Sequence, residues 1–260
     1  MTVSTTFGRS LQPELMDAAL PLPETERALA DLDRVHARLF GDHAARRALS
    51  QRIAAGSRCQ TLIDLGTGSG RISSRLKQRA LRRGVALRVI GVDRKLAHLV
   101  FGARSGHEQL RIVADADALP FRAGCSDWSF SNLLFHHFSE SRNRVILQEM
   151  QRVARRAAVV VDLRRALCAR IFVRVLLPLL RVGHVARYDG KLSTDQAWCL
   201  AEIRQLTTDL PVTELRRRFP FRFSLVLEHA PASSAQGNDA TTVSGPDRTG
   251  PATGRIRPPR

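Results

Sequence analysis

The run Thr61-Leu62-Ile63-Asp64-Leu65-Gly66-Thr67-Gly68-Ser69-Gly70 constrains the fold of this chain more than any other stretch. An apolar segment, one carboxylate and alternating glycines describe a buried strand that ends in a tight loop, and Arg71 onward reads as a helix. A helix start offers unpaired backbone N–H groups to a ligand. Glycines allow φ > 0 and let that ligand approach the backbone. The pattern predicts a nucleotide-like cofactor at the carboxyl end of a strand in an open α/β sheet. A dinucleotide fingerprint would read G-x-G-x-x-G beside a pyrophosphate. Here the spacing is G-x-G-x-G, Arg71 stands where the third glycine would be, and Asp64 sets a carboxylate just before Gly66.

A carboxylate suits a cation better than a pyrophosphate, and S-adenosylmethionine (SAM) carries a sulfonium, an ammonium and no phosphate. The loop resembles the first motif, D-x-G-x-G-x-G, of the class I SAM-dependent methyltransferases. Three later segments agree with it in order and spacing. Leu87-Arg88-Val89-Ile90-Gly91-Val92-Asp93 is a second apolar strand ending in an acid, about 20 residues past the glycine loop, where an acid can accept from ribose hydroxyls. Ile112 to Phe121 is similar to the family's D-A-x-x-L-P-F segment, and Ser126 to Phe138 to its fourth strand and exit loop. The resemblance spans roughly residues 60–163. It implies a cofactor set of Asp64, Gly66, Thr67, Gly68, Gly70, Asp93, Arg94, Asp115, Ala116 and Asn132, with Asp115 at the adenine amino group and Asn132 near the methionine moiety.

The rest of the chain alternates as a doubly wound parallel sheet requires. Strands are expected at 61–65, 87–92, 110–114, 127–132 and 157–162, and helices at 70–83, 94–103 and 140–155. Before the sheet, residues 1–20 read as irregular. Helical periodicity then runs from Glu24 to Phe40, with Leu29, Leu32, Val35 and Leu39 on one face, and a second helix follows near His43–Ala54. After Asp162, Ala166–Ala186 is apolar but carries Arg170, Arg174 and Arg181, and Pro178 is expected to kink any helix there. Tyr188-Asp189-Gly190 reads as a turn, and Ser193 or Thr194 as the cap of a helix through Leu206. Val212–Phe219 and Phe221–Glu228 read as a terminal hairpin around Pro220, as the resemblance requires. The expected architecture is a Rossmann-like, seven-stranded α/β methyltransferase sheet. Residues 1–56 form an N-terminal helical segment that is either a substrate cap or a buttress, and 57–230 the SAM-binding domain. Residues 231–260 form a disordered tail, poor in large apolar side chains.

Composition adds bounds. Cys59, Cys125, Cys168 and Cys199 lack metal-like C-x-x-C spacing and read as buried, reduced thiols of a cytoplasmic protein. Met1–Ser10 lacks the apolar core of a signal peptide. The longest apolar stretch, Ile171–Leu180, is too short to span a bilayer. Lys and Arg number 41 against 24 acids, a net charge of +17, and only Lys77, Lys95 and Lys191 are lysine. Most of that charge reads as solvated surface arginine; an anionic membrane is the next reading, and nucleic acid the least favoured.

Catalytic candidates are few. His136 and His137 follow the fourth strand, where either could take a proton from a phenol or an activated carbon, or simply pack the loop. Asp127 reads as a structural acid at a strand start. No acid cluster of the metal-dependent catechol type is visible, so no metal is expected. The exit loop, Asn132-Leu133-Leu134-Phe135, lacks the prolines of enzymes that methylate exocyclic base amines. What remains is methyl transfer to oxygen or carbon of a small molecule. Asp162-Leu163-Arg164-Arg165 and Asp189 to Ser193 loosely resemble stretches of methyltransferases in bacterial polyketide, phenolic-lipid or quinone pathways, which implies a lipophilic acceptor. A nucleic-acid methyltransferase and a catalytically silent SAM-binding protein stay open as alternatives, as does the oligomeric state.

Overall fold

The structure, a computed structural model, describes residues 8–38, 42–54, 59–107 and 109–228. The expected tail at 231–260 and Leu39 of the first helix lie outside the described residues. Seven strands form one sheet: β1 (Cys59–Leu65), β2 (Ala86–Asp93), β3 (Leu110–Val113), β4 (Ser126–Asn132), β5 (Ala154–Leu163), β6 (Val212–Arg218) and β7 (Arg222–Glu228). Their order is β3-β2-β1-β4-β5-β7-β6. The first five are parallel, and β7 runs antiparallel to both β5 and β6. The helices are α1 (Leu22–Arg38), α2 (His43–Ala54), α3 (Arg71–Leu81), α4 (Leu96–Arg104), α5 (Glu140–Val153), α6 (Leu167–Leu179), α7 (His184–Gln196) and α8 (Leu200–Leu206). Among the described residues no helix is long and apolar enough to cross a membrane.

Helices cover both faces of the sheet, so the central strands are continuous apolar runs and not alternating ones. In β5, Ala157, Val159 and Val161 face a core shared with Leu49 of α2 and Leu76 of α3, while Ala158 and Val160 face Ile146, Leu147 and Met150 of α5. Asp127 proves structural: its carboxylate accepts the Thr61 N–H at 2.8 Å and pairs with Arg155 and Arg156. Strand order reverses between β1 and β4, and the crevice at this switch point lies beyond their carboxyl ends, where open α/β sheets bind ligands.

The region after β5 departs from the sequence reading. Tyr188-Asp189-Gly190 is not a turn but the middle of α7. A Cβ on Gly190 would lie 2.6 Å from Leu177 Cδ1, so this glycine serves the close approach of α6 and α7. Tertiary packing overrides turn vocabulary there. Ser193 and Thr194 lie within α7 and cap nothing; α8 starts from Cys199, whose N–H donates to Glu202 at 2.8 Å. Pro178 falls in the last turn of α6 and ends the helix instead of kinking it. None of the cysteines is buried: Cys59 at the rim of β1 and Cys168 on the outside of α6 are exposed, and Cys125 and Cys199 are partly so.

Candidate cofactor and acceptor site

The glycine loop is built by its own strand and its neighbour. Thr67 N–H donates to Val92 O at 3.0 Å, which ties the loop to β2, and Thr67 Oγ1 donates to Asp64 at 2.6 Å. Asp64 is buried, and burial pushes its carboxyl up to about 6. Gly66, Gly68 and Gly70 all take φ between 56° and 77°, the left-handed region that glycine enters freely. Only at Gly68 would a Cβ meet no protein atom within 4 Å, and Gly68 lines an open pocket. Its N–H donates to Asp93 Oδ2 at 2.9 Å. The amide that a dinucleotide fold turns to a pyrophosphate is thus committed to a carboxylate. Asp93 also accepts from Lys95 N–H at 2.9 Å and faces His98 Nδ1 at 3.4 Å; burial alone would raise its pKa, but these partners hold it below the usual range.

The structure sorts the expected cofactor residues. Gly66, Gly68, Asp93, Arg94, Asp115 and Ala116 line this first pocket, together with His137. Asp64, Thr67 and Gly70 stand behind it and shape the loop. Asn132 lies off the pocket, its side chain 3.4 Å from Arg222. Asp115 is clamped by Arg142 at 2.8 Å through both oxygens, and Arg142 also bonds Asp117. The two N-terminal helices differ in role. α1 brings Leu29 and Leu32 to the pocket and is tied to the loop by Ser69 Oγ, which donates to Asp33 at 2.8 Å. α2 packs into the core with α3 and the sheet.

Residues 8–20 are irregular but not idle. They cross α7 and the exit loop of β4, and Leu15–Asp17 form a short 3-10 turn. Asp189 accepts the N–H groups of Leu15 and Met16 at 2.7 and 3.0 Å; burial nevertheless pushes its carboxyl up to about 6. Arg9 donates to the carbonyls of His136 and Phe138 and stacks over Trp198. This strap delivers Glu14 and Asp17 to the histidine pair.

His136 and His137 are in different states. His136 is 2 % exposed. Its Nδ1 lies 2.7 Å from Asp162 Oδ1, and its Nε2 lies 3.6 Å from Glu14 Oε1. Burial alone would lower its pKa, but the two carboxylates outweigh burial and raise it to about 10. His136 is therefore an imidazolium at neutral pH and cannot accept a proton. His137 Nδ1 meets Asp17 Oδ2 at 3.0 Å, and that pairing overcomes burial to hold Asp17 at about 2. His137 Nε2 lies 4.0 Å from Glu14 Oε2 and faces both pockets. Ligand atoms of Glu14, His136 and His137 lie within 4.8 Å of one another, a set that could hold a divalent cation. This set departs from the expectation of no metal, because Glu14 is remote in sequence from the histidines and only the fold brings it beside them.

A second cavity of about 180 Å³ adjoins the first. Leu32, Val35, Leu163, Phe172, Val173, Leu176 and Leu177 make it apolar, and Phe172 packs on Phe221 with ring centroids 5.4 Å apart. His36 in its wall is fully buried; burial, with Arg222 and Arg71 nearby, lowers its pKa to about 3, so it is neutral. Both cavities are lined by Glu14, Leu32, Leu133 and His137, which mark their junction.

Glu14, Asp17, Lys95, His98 and Asp162 were not singled out in the sequence as site residues. Glu14 and Asp17 sit in a segment with no periodicity, and only the fold brings them to the exit loop of β4.

A glycine loop bonded to the buried Asp93 carboxylate at the switch point of an open α/β sheet is the setting of a nucleoside-cofactor site. Residues 63–161 match a family described as the methyltransferase domain. No curated protein matches the sequence. The fold is similar to a SAM-dependent methyltransferase from Aquifex aeolicus, at 15 % identity and a TM-score of 0.55, covering 81 % of this chain and 99 % of that one. It is also similar to human N-acetylserotonin methyltransferase in complex with SAM, at 10 % identity and TM-score 0.58, over 81 % of this chain and 57 % of that one. A third similar chain comes from a complex of the Haloferax volcanii Trm112 methyltransferase activator with a methyltransferase, at 21 % identity and TM-score 0.54, over 79 % and 97 %. At such identities the shared property is the fold. Residues 63–161 thus carry a methyltransferase domain, and the domain match and fold together indicate SAM-dependent methyl transfer, with SAM as the cofactor.

Proposed function

We propose that this enzyme methylates an oxygen, or an activated ring carbon, of a lipophilic phenol-type small molecule held in the second cavity. One observation carries the reading: an apolar cavity opens onto the cofactor pocket at Glu14, Leu32, Leu133 and His137. Residues fit SAM in the first pocket. Gly68 leaves space that a Cβ would fill, and Asp93 offers a buried carboxylate to hydroxyls. Gly66, Arg94, Asp115 and Ala116 complete that wall, with Asp64, Thr67 and Gly70 holding the loop in shape. When bound, SAM supplies an electrophilic methyl group on a sulfonium.

The chain's own work is positioning, exclusion of water and handling of one proton. Leu32, Leu133 and the α6 side chains surround the acceptor with apolar surface. His137 Nε2 receives the acceptor's proton, and Asp17 fixes its tautomer and stabilises the cation that results. Buried His136 balances Glu14 and Asp162, which keeps the acidic strap docked at the junction. A net charge of +17 supports a second reading, transfer to nucleic acid.

The test is methyl transfer from labelled SAM to a panel of alkylated phenols, hydroxyquinones and RNA. His137→Ala should lower kcat on the phenols by about 10²–10⁴-fold with SAM affinity unchanged. Turnover on RNA alone would overturn the acceptor class. Full turnover by His137→Ala would remove the base. Loss of activity on chelation, restored by zinc or manganese, would replace proton transfer with cation binding by Glu14, His136 and His137.

A further inference from the structure

A surface helix of a soluble domain turns its apolar stripe inward and its polar face to water. Helix α6 does not. Leu167, Ile171, Val175 and Leu179 recur every fourth residue, and with Phe172 they are between 37 % and 71 % exposed. The opposite side, with Ala169, Val173, Leu176 and Leu177, lines the acceptor cavity. The helix is therefore apolar on both sides, and only one side has a partner among the described residues. A contiguous exposed stripe of this kind marks an interaction surface.

Charge decides the partner. Between Asp162 and Asp195 the only carboxylate is Asp189, which is buried and accepts from the N-terminal strap. The same stretch carries Arg164 and Arg165 at its start, then Arg170, Arg174, Arg181, Arg187 and Lys191 from α6 to α7. Arg170 and Arg174 share Asp195, while Arg181, Arg187 and Lys191 have no ion-pair partner among the described residues. Tyr188, 42 % exposed on α7, adds an aromatic ring with a polar tip, a residue type favoured at membrane interfaces. A second copy meeting this face would set arginine against arginine. An anionic lipid surface would satisfy both the stripe and the cations, because arginine stems can lie along an apolar face with their heads at the phosphates.

We propose that α6, with the start of α7, docks this enzyme onto an anionic membrane surface and that the acceptor reaches the cavity from the bilayer. This deepens the reading of a lipophilic acceptor and rests on it for the second clause only. Phe172 is both exposed and part of the cavity wall, so one side chain joins the outer surface of α6 to the cavity. The docking is peripheral: α6 lies in the interface plane and spans nothing.

The test uses the full chain with SAM and sedimentation with vesicles of phosphatidylcholine, pure or with about a third phosphatidylglycerol. Wild type should bind the anionic vesicles, bind the neutral ones weakly, and dissociate as salt rises. Ile171→Glu/Val175→Glu changes two exposed side chains that do not line the cavity, and Glu suits a helix. The double variant should keep its melting temperature and SAM affinity while its vesicle affinity falls by about tenfold or more. Absence of vesicle binding by wild type would overturn the proposal, as would equal binding by the folded double variant. So would a dimer in ultracentrifugation that the double variant dissolves. The readout involves no acceptor, so docking without phenol methylation refutes the acceptor reading alone, and methylation without docking refutes the membrane alone.

Discussion

A single methyl group at Gly68 separates the needs of the fold from those of the cofactor. Gly68 has φ +56°, and a Cβ there meets no protein atom within 4 Å. For Gly68→Ala the fold loses only what the left-handed conformation costs a non-glycine residue, about 1–2 kcal/mol. At roughly 2–4 °C per kcal/mol for a domain of this size, the melting temperature should fall by about 2–8 °C. Binding should suffer more. The added carbon points into the pocket beside the amide that holds Asp93, so SAM affinity should drop by at least about tenfold, or 1.4 kcal/mol. Gly68→Val should do more on both counts, since branching at Cβ fills more of that space and restricts the backbone further. Gly102 is the control. A Cβ on Gly102 would lie 2.2 Å from the backbone oxygen of Ser69, so Gly102→Ala must push α4 off the glycine loop and lower stability through packing. Calorimetric titration with SAM and differential scanning calorimetry read the two quantities separately. A folded Gly68→Ala protein with wild-type SAM affinity would refute the placement of the cofactor.

Four further outcomes follow from the charges. His136 is held protonated above its ordinary pKa of 6.5, so its contribution to stability is full below that value and is lost as pH rises from there through about 10. The urea midpoint of wild type should therefore fall between neutral pH and 10 more than that of His136→Asn. His136→Ala should cost about 3–5 kcal/mol at neutral pH, because it strands two buried carboxylates, and equal stability of the two proteins by urea titration would contradict this. Asp93→Asn should weaken SAM by about 1.5–3 kcal/mol in calorimetry and leave NADH binding undetectable, whereas tight NADH binding would reverse the choice of cofactor. Asp189→Ala removes the acceptor of the Leu15 and Met16 N–H groups. It should speed amide exchange of the strap and lower kcat together with SAM affinity; unchanged exchange would show that the strap is held elsewhere.

The chain's local grammar was enough for the sheet and its cofactor end. The apolar run before Gly66, the acid closing the second strand and the helical spacing of Leu29 and Leu32 are short-range patterns, and strand and helix periods act over a few residues. Gly68 was legible because a tight loop with φ > 0 favours glycine. Turn vocabulary failed at Asp189 and Gly190. The contact that sets their state is Leu177 on a neighbouring helix, which no local window contains. The histidine pair was legible as chemistry but not as roles. Asp162 and Glu14 close around His136, while His137 looks into both cavities, so neighbouring, identical side chains stand in different surroundings. The apolar, arginine-bearing segment 166–186 was visible in the sequence, yet which of its faces reaches the cavity and which reaches solvent was decided only by how α6 packs on α7 and the end of β5. Buried ion pairs and helix orientation depend on partners distant in sequence, so the tertiary structure alone could fix them.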